Sequence, residues 1–263
     1  MFYNAKSTSI DQQLASVRIN HDLPVDSLTY TAGFASYNIS YDTNATYMMD
    51  EKLNAFKSFS IGFTYIKKMR GDWNGIVSFQ PQLVSNFEST ITLKDIQPIV
   101  FIGFSKRIGA EKLSIVKFGI QYDDFFGKPS FLPDVSFSSF FTKKIAYTIG
   151  FPVSEVVYKM NSKNGLKAAV SSNSFYSRVN GSHYIQKDLA DGVVKVADLQ
   201  FRYLNAGLEY QFMSDAHWGF NLSLNHSFSN DIKLRDQNDN NINIGFKNGI
   251  NFSMGFKYNL NFK

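Results

Sequence analysis

The sequence predicts an all-β fold, namely a single closed antiparallel transmembrane β-barrel of about 12–14 strands, 14 being preferred, with residues 1–263 forming one domain. Three observations carry this prediction. Apolar and polar residues alternate with period two in segment after segment, which puts one apolar and one polar face on each strand. The segments outrun the about 5–6 residues usual for strands of soluble proteins. Their polar faces hold Ser, Asn, Gly and Gln in place of Lys and Glu, as suits a narrow lumen.

Along the chain, a first strand is expected in Met1–Ile10 or upstream, and a second starts near Ser16. Phe59, Ile61, Phe63 and Tyr65 then alternate with Ser58, Ser60, Gly62 and Thr64. Trp73, Val77, Phe79 and Leu83 mark the next strand, followed by Ile96, Val100, Ile102 and Phe104, and by Val116, Phe118, Ile120 and Tyr122. Ile145, Tyr147, Ile149 and Phe151 make another. Leu204, Ala206, Leu208, Tyr210 and Phe212 precede Trp218, Phe220, Leu222, Leu224, His226 and Phe228. The clearest run is the last, where Ile250, Phe252, Met254, Phe256, Tyr258, Leu260 and Phe262 alternate with polar residues or glycine. No segment has helical period and length.

Connections alternate in length, as a membrane barrel requires. Short polar turns are read at His21–Ser27, Arg70–Asp72, Ile108–Lys112, Thr142–Lys144, Asn161–Gly165 and Met213–His217. Long ones are read at Thr43–Lys52, Asn86–Lys94, Asp124–Ser130, Asn180–Val193 and Asn230–Asn248, and Phe151–Val153 is too short to join them. Short turns in the periplasm would put the long connections outside the cell and both termini in the periplasm. Met1–Ile10 has neither the basic nor the apolar stretch of a signal peptide, so the numbering is expected to start inside a precursor.

The final segment, Gly255-Phe-Lys-Tyr-Asn-Leu-Asn-Phe-Lys263, resembles the C-terminal assembly signal of Gram-negative outer-membrane barrels, with Phe256, Tyr258, Leu260 and Phe262 as its alternating residues and Lys263 as a departure. That resemblance implies recognition by the barrel-assembly machinery and residence in the outer membrane. The segment Gly150–Tyr158 followed by Asn161–Gly165 looks most like an uncharacterised outer-membrane barrel family carrying a domain of unknown function. It implies a fold and a location, and brings no active site.

Composition narrows the chemistry. The chain has no cysteine, which removes disulfides, thiolate metal sites and Cys nucleophiles. A net charge of +5, spread along the chain and not gathered into a stripe, argues against nucleic acid. His21, His183, His217 and His226 show no metal-ligand spacing. Asp236, Asn238 and Asn240 have the spacing of a calcium loop, but Asn241 stands where it needs glycine and Lys247 where it needs a bidentate Glu. His226 beside Ser227 on a lipid-facing row admits a surface acyl hydrolase, while an interfacial histidine is the favoured reading. No nucleophile elbow, phosphate loop, cofactor or metal site is expected.

Two groups of residues remain as candidates. With apolar residues facing lipid, Glu155, Lys159, Lys167 and Glu209 face the lumen, and a bulge near Tyr203–Leu204 would bring Asp198 and Arg202 there too. They would fill the barrel with ion pairs or, less favoured, form a selectivity constriction. Phe125, Phe126, Phe131 and Leu132 make one long connection unusually apolar, as an aromatic girdle or a docking surface for another outer-membrane protein. The expected function is non-enzymatic: an accessory or structural barrel that partners other envelope proteins, or alternatively a narrow porin-like channel for small polar solutes.

Overall fold

The computed structural model describes residues 9–22, 26–40, 47–49, 53–109, 111–187, 193–215, 218–244 and 248–258. Sixteen strands make one sheet: β1 (Ser9–Asp22), β2 (Ser27–Ser40), β3 (Tyr47–Met49), β4 (Ala55–Lys68), β5 (Trp73–Ser85), β6 (Ile96–Ile108), β7 (Ser114–Asp123), β8 (Ser130–Phe140), β9 (Ile145–Phe151), β10 (Ser154–Lys159), β11 (Asn164–Arg178), β12 (Tyr184–Lys187), β13 (Val193–Met213), β14 (Trp218–Asp236), β15 (Asn241–Ile244) and β16 (Gly249–Tyr258). The all-β prediction holds. β3, β12 and β15 are short strands within the long connections, and the remaining thirteen run as an antiparallel meander from β1 to β16. Short turns gather at one end of this meander, the turn end, and long connections at the other, the loop end, where the two-residue link between β9 and β10 is the exception. At the turn end, Arg70–Asp72 forms a single 3-10 turn in which Gly71 takes φ 67°, a left-handed backbone that costs glycine nothing.

The single closed 14-stranded antiparallel barrel is corrected in two respects. The meander count is odd, so the described chain starts at the loop end, where Ser9 lies opposite Ser40, and ends at the turn end, where Tyr258 lies opposite Trp218. The closed unit is a smaller ring of seven strands, β5 to β11, shut by one parallel bridge between Arg178 and Ser85, with the other strands outside it. The physical reason is the short β9–β10 hairpin. Its strands are 7 and 6 residues long, and β10 leaves β11 after the Ser154–Val170 pair. The rest of β11 would have an unpaired backbone edge, which is costly. β5 and the 124–129 connection take up that edge: the Tyr176 amide donates to Asp124 Oδ2 at 2.9 Å, and Ser177 Oγ donates to the Val84 carbonyl at 3.2 Å.

The wall reverses polarity along its strands. Toward the turn end the outward row is apolar, with Ile61 at 73% exposure, Leu208 at 52% and Phe252 at 70%. Register joins these residues from strand to strand: Tyr30–Phe63–Phe79, Val77–Ile102–Ile120, Phe104–Phe118–Val135 and Leu208–Leu224–Phe252. The opposite face there is polar, and its hydroxyls pair across strands, as in Thr64 to Ser78 at 2.9 Å and Ser138 with Thr148 at 2.9 Å. Toward the loop end the same inner face becomes apolar. Tyr37, Ile39, Phe56, Val84, Phe175, Leu199, Phe201, Ile232 and Leu234 are buried in one cluster between β2 and β4 on one side and β11, β13 and β14 on the other.

Candidate functional site

The loop end gathers the distinctive chemistry. Phe175 sits at the centre of the apolar cluster, its ring 4.2 Å from Tyr37, 5.3 Å from Phe201 and 5.9 Å from Phe56. Residues of facing walls thus meet directly, and the inner space at this level is packed with side chains. Beside the cluster, a polar clasp ties β5 to the end of β11. The Asn180 amide donates to Asn86 Oδ1 at 2.9 Å while Asn86 Nδ2 donates to the Asn180 carbonyl at 3.1 Å, and Asn180 Nδ2 donates to Ser85 Oγ at 2.8 Å. His183 is buried with Nε2 2.8 Å from the Asn180 carbonyl, which makes it a packing residue of this clasp. Gly181, at φ +96°, lets the imidazole approach, since a Cβ there would lie 2.9 Å from Nε2.

The six expected lumen charges divide between two faces. Lys167 and Glu209 are opposite each other on β11 and β13 and pair at 3.2 Å, with Glu155 on the same face, one strand away. Lys159 is exposed at the end of β10. Asp198 and Arg202 lie on the other face, which corrects the expectation. β13 holds its phase against β11 from Phe212 to Asp198 without a bulge, so even-numbered residues all face away from Glu209. A second shift, at Ala197, lies beyond Asp198, and the register shift between Arg202 and Leu204 belongs to β14, where Ser229 has φ 55°. Past this bulge Ile232 and Leu234 point inward, and an ionic row occupies the outward face. Asp231 lies 2.7 Å from Lys233 and 3.9 Å from Arg202, and the buried Asp198 carboxylate accepts from Arg235 Nε at 2.6 Å.

The seven-strand ring encloses a charged pair that sequence reasoning missed. Lys117 Nζ lies 2.6 Å from Asp134 and 4.1 Å from the centre of the Phe101 ring. That ring fits only because Gly103 and Gly119 face each other beneath it; a Cβ on either would come within 2.6–2.7 Å of its atoms. Lys117 in the polar phase of β7 was a usable signal, but nothing in the sequence pattern pointed to Asp134 as its partner.

The 124–130 connection folds over β11. Phe125 and Phe126 pack against Phe151 at 5.0 and 6.3 Å, Arg202 lies 5.8 Å from the Phe126 ring centre, Leu132 is buried and Phe131 is 76% exposed. Burial first, and then the neighbouring Asp123, push the Asp124 carboxyl well above the usual carboxylate range. His226 is exposed while the adjacent Ser227 is buried and bonded to Gly249, so this Ser and His point to opposite faces. Asp236 accepts from the amides of Asn238 and Asn240, both at 2.8 Å, which fixes a turn. Among the described residues no group of three or more His, Asp or Glu is placed to hold a metal. Of the C-terminal signal, Phe256 is 77% exposed on β16, and Leu260 and Phe262, like His217, lie outside the described residues.

A continuous sheet with a closed ring, a charged ring interior and an apolar outward band defines an all-β barrel protein. The chain belongs to the family described as a domain of unknown function, DUF6268, whose model matches residues 7–259. No curated protein and no solved structure matches it.

Proposed function

We propose that the protein is an integral β-barrel of the Gram-negative outer membrane that acts without catalysis, as an accessory or structural subunit partnering other envelope proteins. The observation that carries this reading is the polarity reversal of the wall. At the loop end the sheet is built like a water-soluble protein, with Leu199 and Leu234 fully buried and the Asp231–Lys233 pair outside. At the turn end it is built for an apolar solvent, with Ile61, Leu208, Leu224 and Phe252 outside and hydroxyls inside. A band of this extent is far larger than the exposed apolar patches of soluble proteins, and a hydrocarbon layer satisfies it strand by strand. The long connections then lie outside the cell and the short turns in the periplasm.

The apolar cluster around Phe175 favours a structural role over conduction, because side chains from facing walls fill the inner space. Reconstitution into planar bilayers tests this choice. Electrical silence together with stoichiometric capture of envelope proteins from native membranes agrees with the accessory role. Stable unitary steps would replace it with the narrow porin-like channel, whose polar wall would include Glu155, Lys167 and Glu209.

A further inference from the structure

At the loop end a cavity of about 330 Å³ lies where the ends of β6, β7 and β11 meet β13 and β14. Its lining brings four cationic side chains to one place from four parts of the chain: Lys94 before β6, Lys128 in the connection after β7, Arg178 at the end of β11 and Arg235 on β14. Arg235 is neutralised, holding Asp198 at 2.6 Å and Asp239 at 2.8 Å. Lys94, Lys128 and Arg178 have no ion-pair partner among the described residues. The nearest acid in sequence, Asp95, is occupied within its own turn by the Thr92 amide at 2.6 Å and the Thr92 hydroxyl at 3.0 Å. Three like charges around one depression repel one another, and nothing in the fold of the cavity needs all three.

We propose that this cavity is a binding site for a phosphate monoester carried on an organic body. The three uncompensated charges match a dianion better than a single carboxylate. The Arg178 guanidinium supplies a fork that fits two phosphate oxygens, and the lysines supply point charges beside it. The Tyr176 hydroxyl is held in place at the cavity wall, accepting from Arg235 Nη2 at 3.4 Å and hydrogen-bonded to the Asp198 carboxylate. The volume exceeds that of a bare phosphate, and the Tyr122 and Tyr176 rings offer flat walls of the kind a sugar ring packs on. Ile96 and Pro98, also lining the cavity, lie in the same strand phase as Ile102 and Phe104 of the apolar band. The phosphate could therefore come from the headgroup of a lipid beside the wall or from a free sugar phosphate.

Isothermal titration calorimetry of the full chain in maltoside micelles, with glucose 1-phosphate against glucose, tests the soluble source. Retention on nanodiscs of phosphatidylcholine with and without phosphatidic acid tests the lipid source. The micelle titration does not depend on which face meets lipid, so its outcome is separate from that of the membrane reading. The expected result is binding of at least one phosphate probe and none of glucose. Arg178→Ala and Lys128→Ala each weaken it about tenfold, Arg178→Lys restores part of the loss, and Lys68→Ala at the turn end changes nothing. Circular dichroism confirms that each variant is folded. Binding of glucose 1-phosphate alone assigns a soluble ligand, and binding of phosphatidic acid alone assigns a lipid; either supports the site. Equal binding of glucose, wild-type affinity in the combined Lys94, Lys128 and Arg178 alanine variant, or failure to bind either phosphate probe overturns it.

Discussion

Replacing Phe175 by Ala removes the centre of the apolar cluster that joins the two walls. The ring is fully buried and within 6 Å of the rings of Tyr37, Phe56 and Phe201, so the wall cannot close over the gap without moving two strands on each side. Truncating a buried Phe costs about 3–5 kcal/mol from lost transfer energy plus the cavity left behind. A site pinned from both walls should fall in the upper part of that range. The comparison is Phe252→Ala, on the outward row at 70% exposure, where the ring has few protein contacts to lose. Urea unfolding of both variants in the same micelles, followed by tryptophan fluorescence and by heat-modifiable gel migration, gives the two costs side by side. A loss below about 1 kcal/mol for Phe175→Ala, or a loss equal to that of Phe252→Ala, would show that the cluster does not join the walls.

Three further outcomes follow from the geometry. Asn180→Ala removes the side-chain hydrogen bond to Ser85 Oγ while leaving the Asn180 backbone bonds to Asn86, and amide exchange at Ser85 and Arg178 should rise about tenfold, while exchange within β13 and β14 stays unchanged. Leu208→Arg should destabilise the protein in vesicles by about 2–4 kcal/mol, whereas near-zero cost would mean that this row faces water. Asp124 has a carboxyl pKa raised above its ordinary 3.8, so the folded state holds this proton more tightly than the unfolded chain. Its contribution is therefore complete below pH 3.8 and is lost as pH rises through the folded value. Exchange protection of the 124–130 connection should fall over that interval in the wild type and stay flat in Asp124→Asn; parallel profiles would remove Asp124 as the cause.

The turn end was legible in the sequence because one rule governs it. Phe59–Tyr65 and Trp218–Leu224 put apolar residues out and small polar residues in, and the strand phases read from them stand. The loop end was misread because the same rule was carried through β13. Above Tyr203 the apolar residues shift to odd positions, Leu199 and Phe201, and keeping apolar residues outward required a bulge at Tyr203–Leu204. The strand has no bulge there against β11; inside and outside exchange their polarity instead. That assumption sent Asp198 and Arg202 to the wrong face and hid the bulge at Ser229. Lys167 facing Glu209 was recoverable because both lie below the reversal. The ring closure was not recoverable, because a single Arg178–Ser85 bridge between strands distant in sequence leaves no periodic trace.

The most direct test of the polarity reversal uses nitroxide labels on two single-cysteine variants of β14, Leu224→Cys and Lys233→Cys, in a chain with no other cysteine. Both positions face outward, one on each side of the Ser229 bulge. In phospholipid vesicles the label at 224 should relax with oxygen and be shielded from a water-soluble nickel chelate, and the label at 233 should do the opposite. Free access of the nickel chelate to position 224 would contradict a lipid-facing wall.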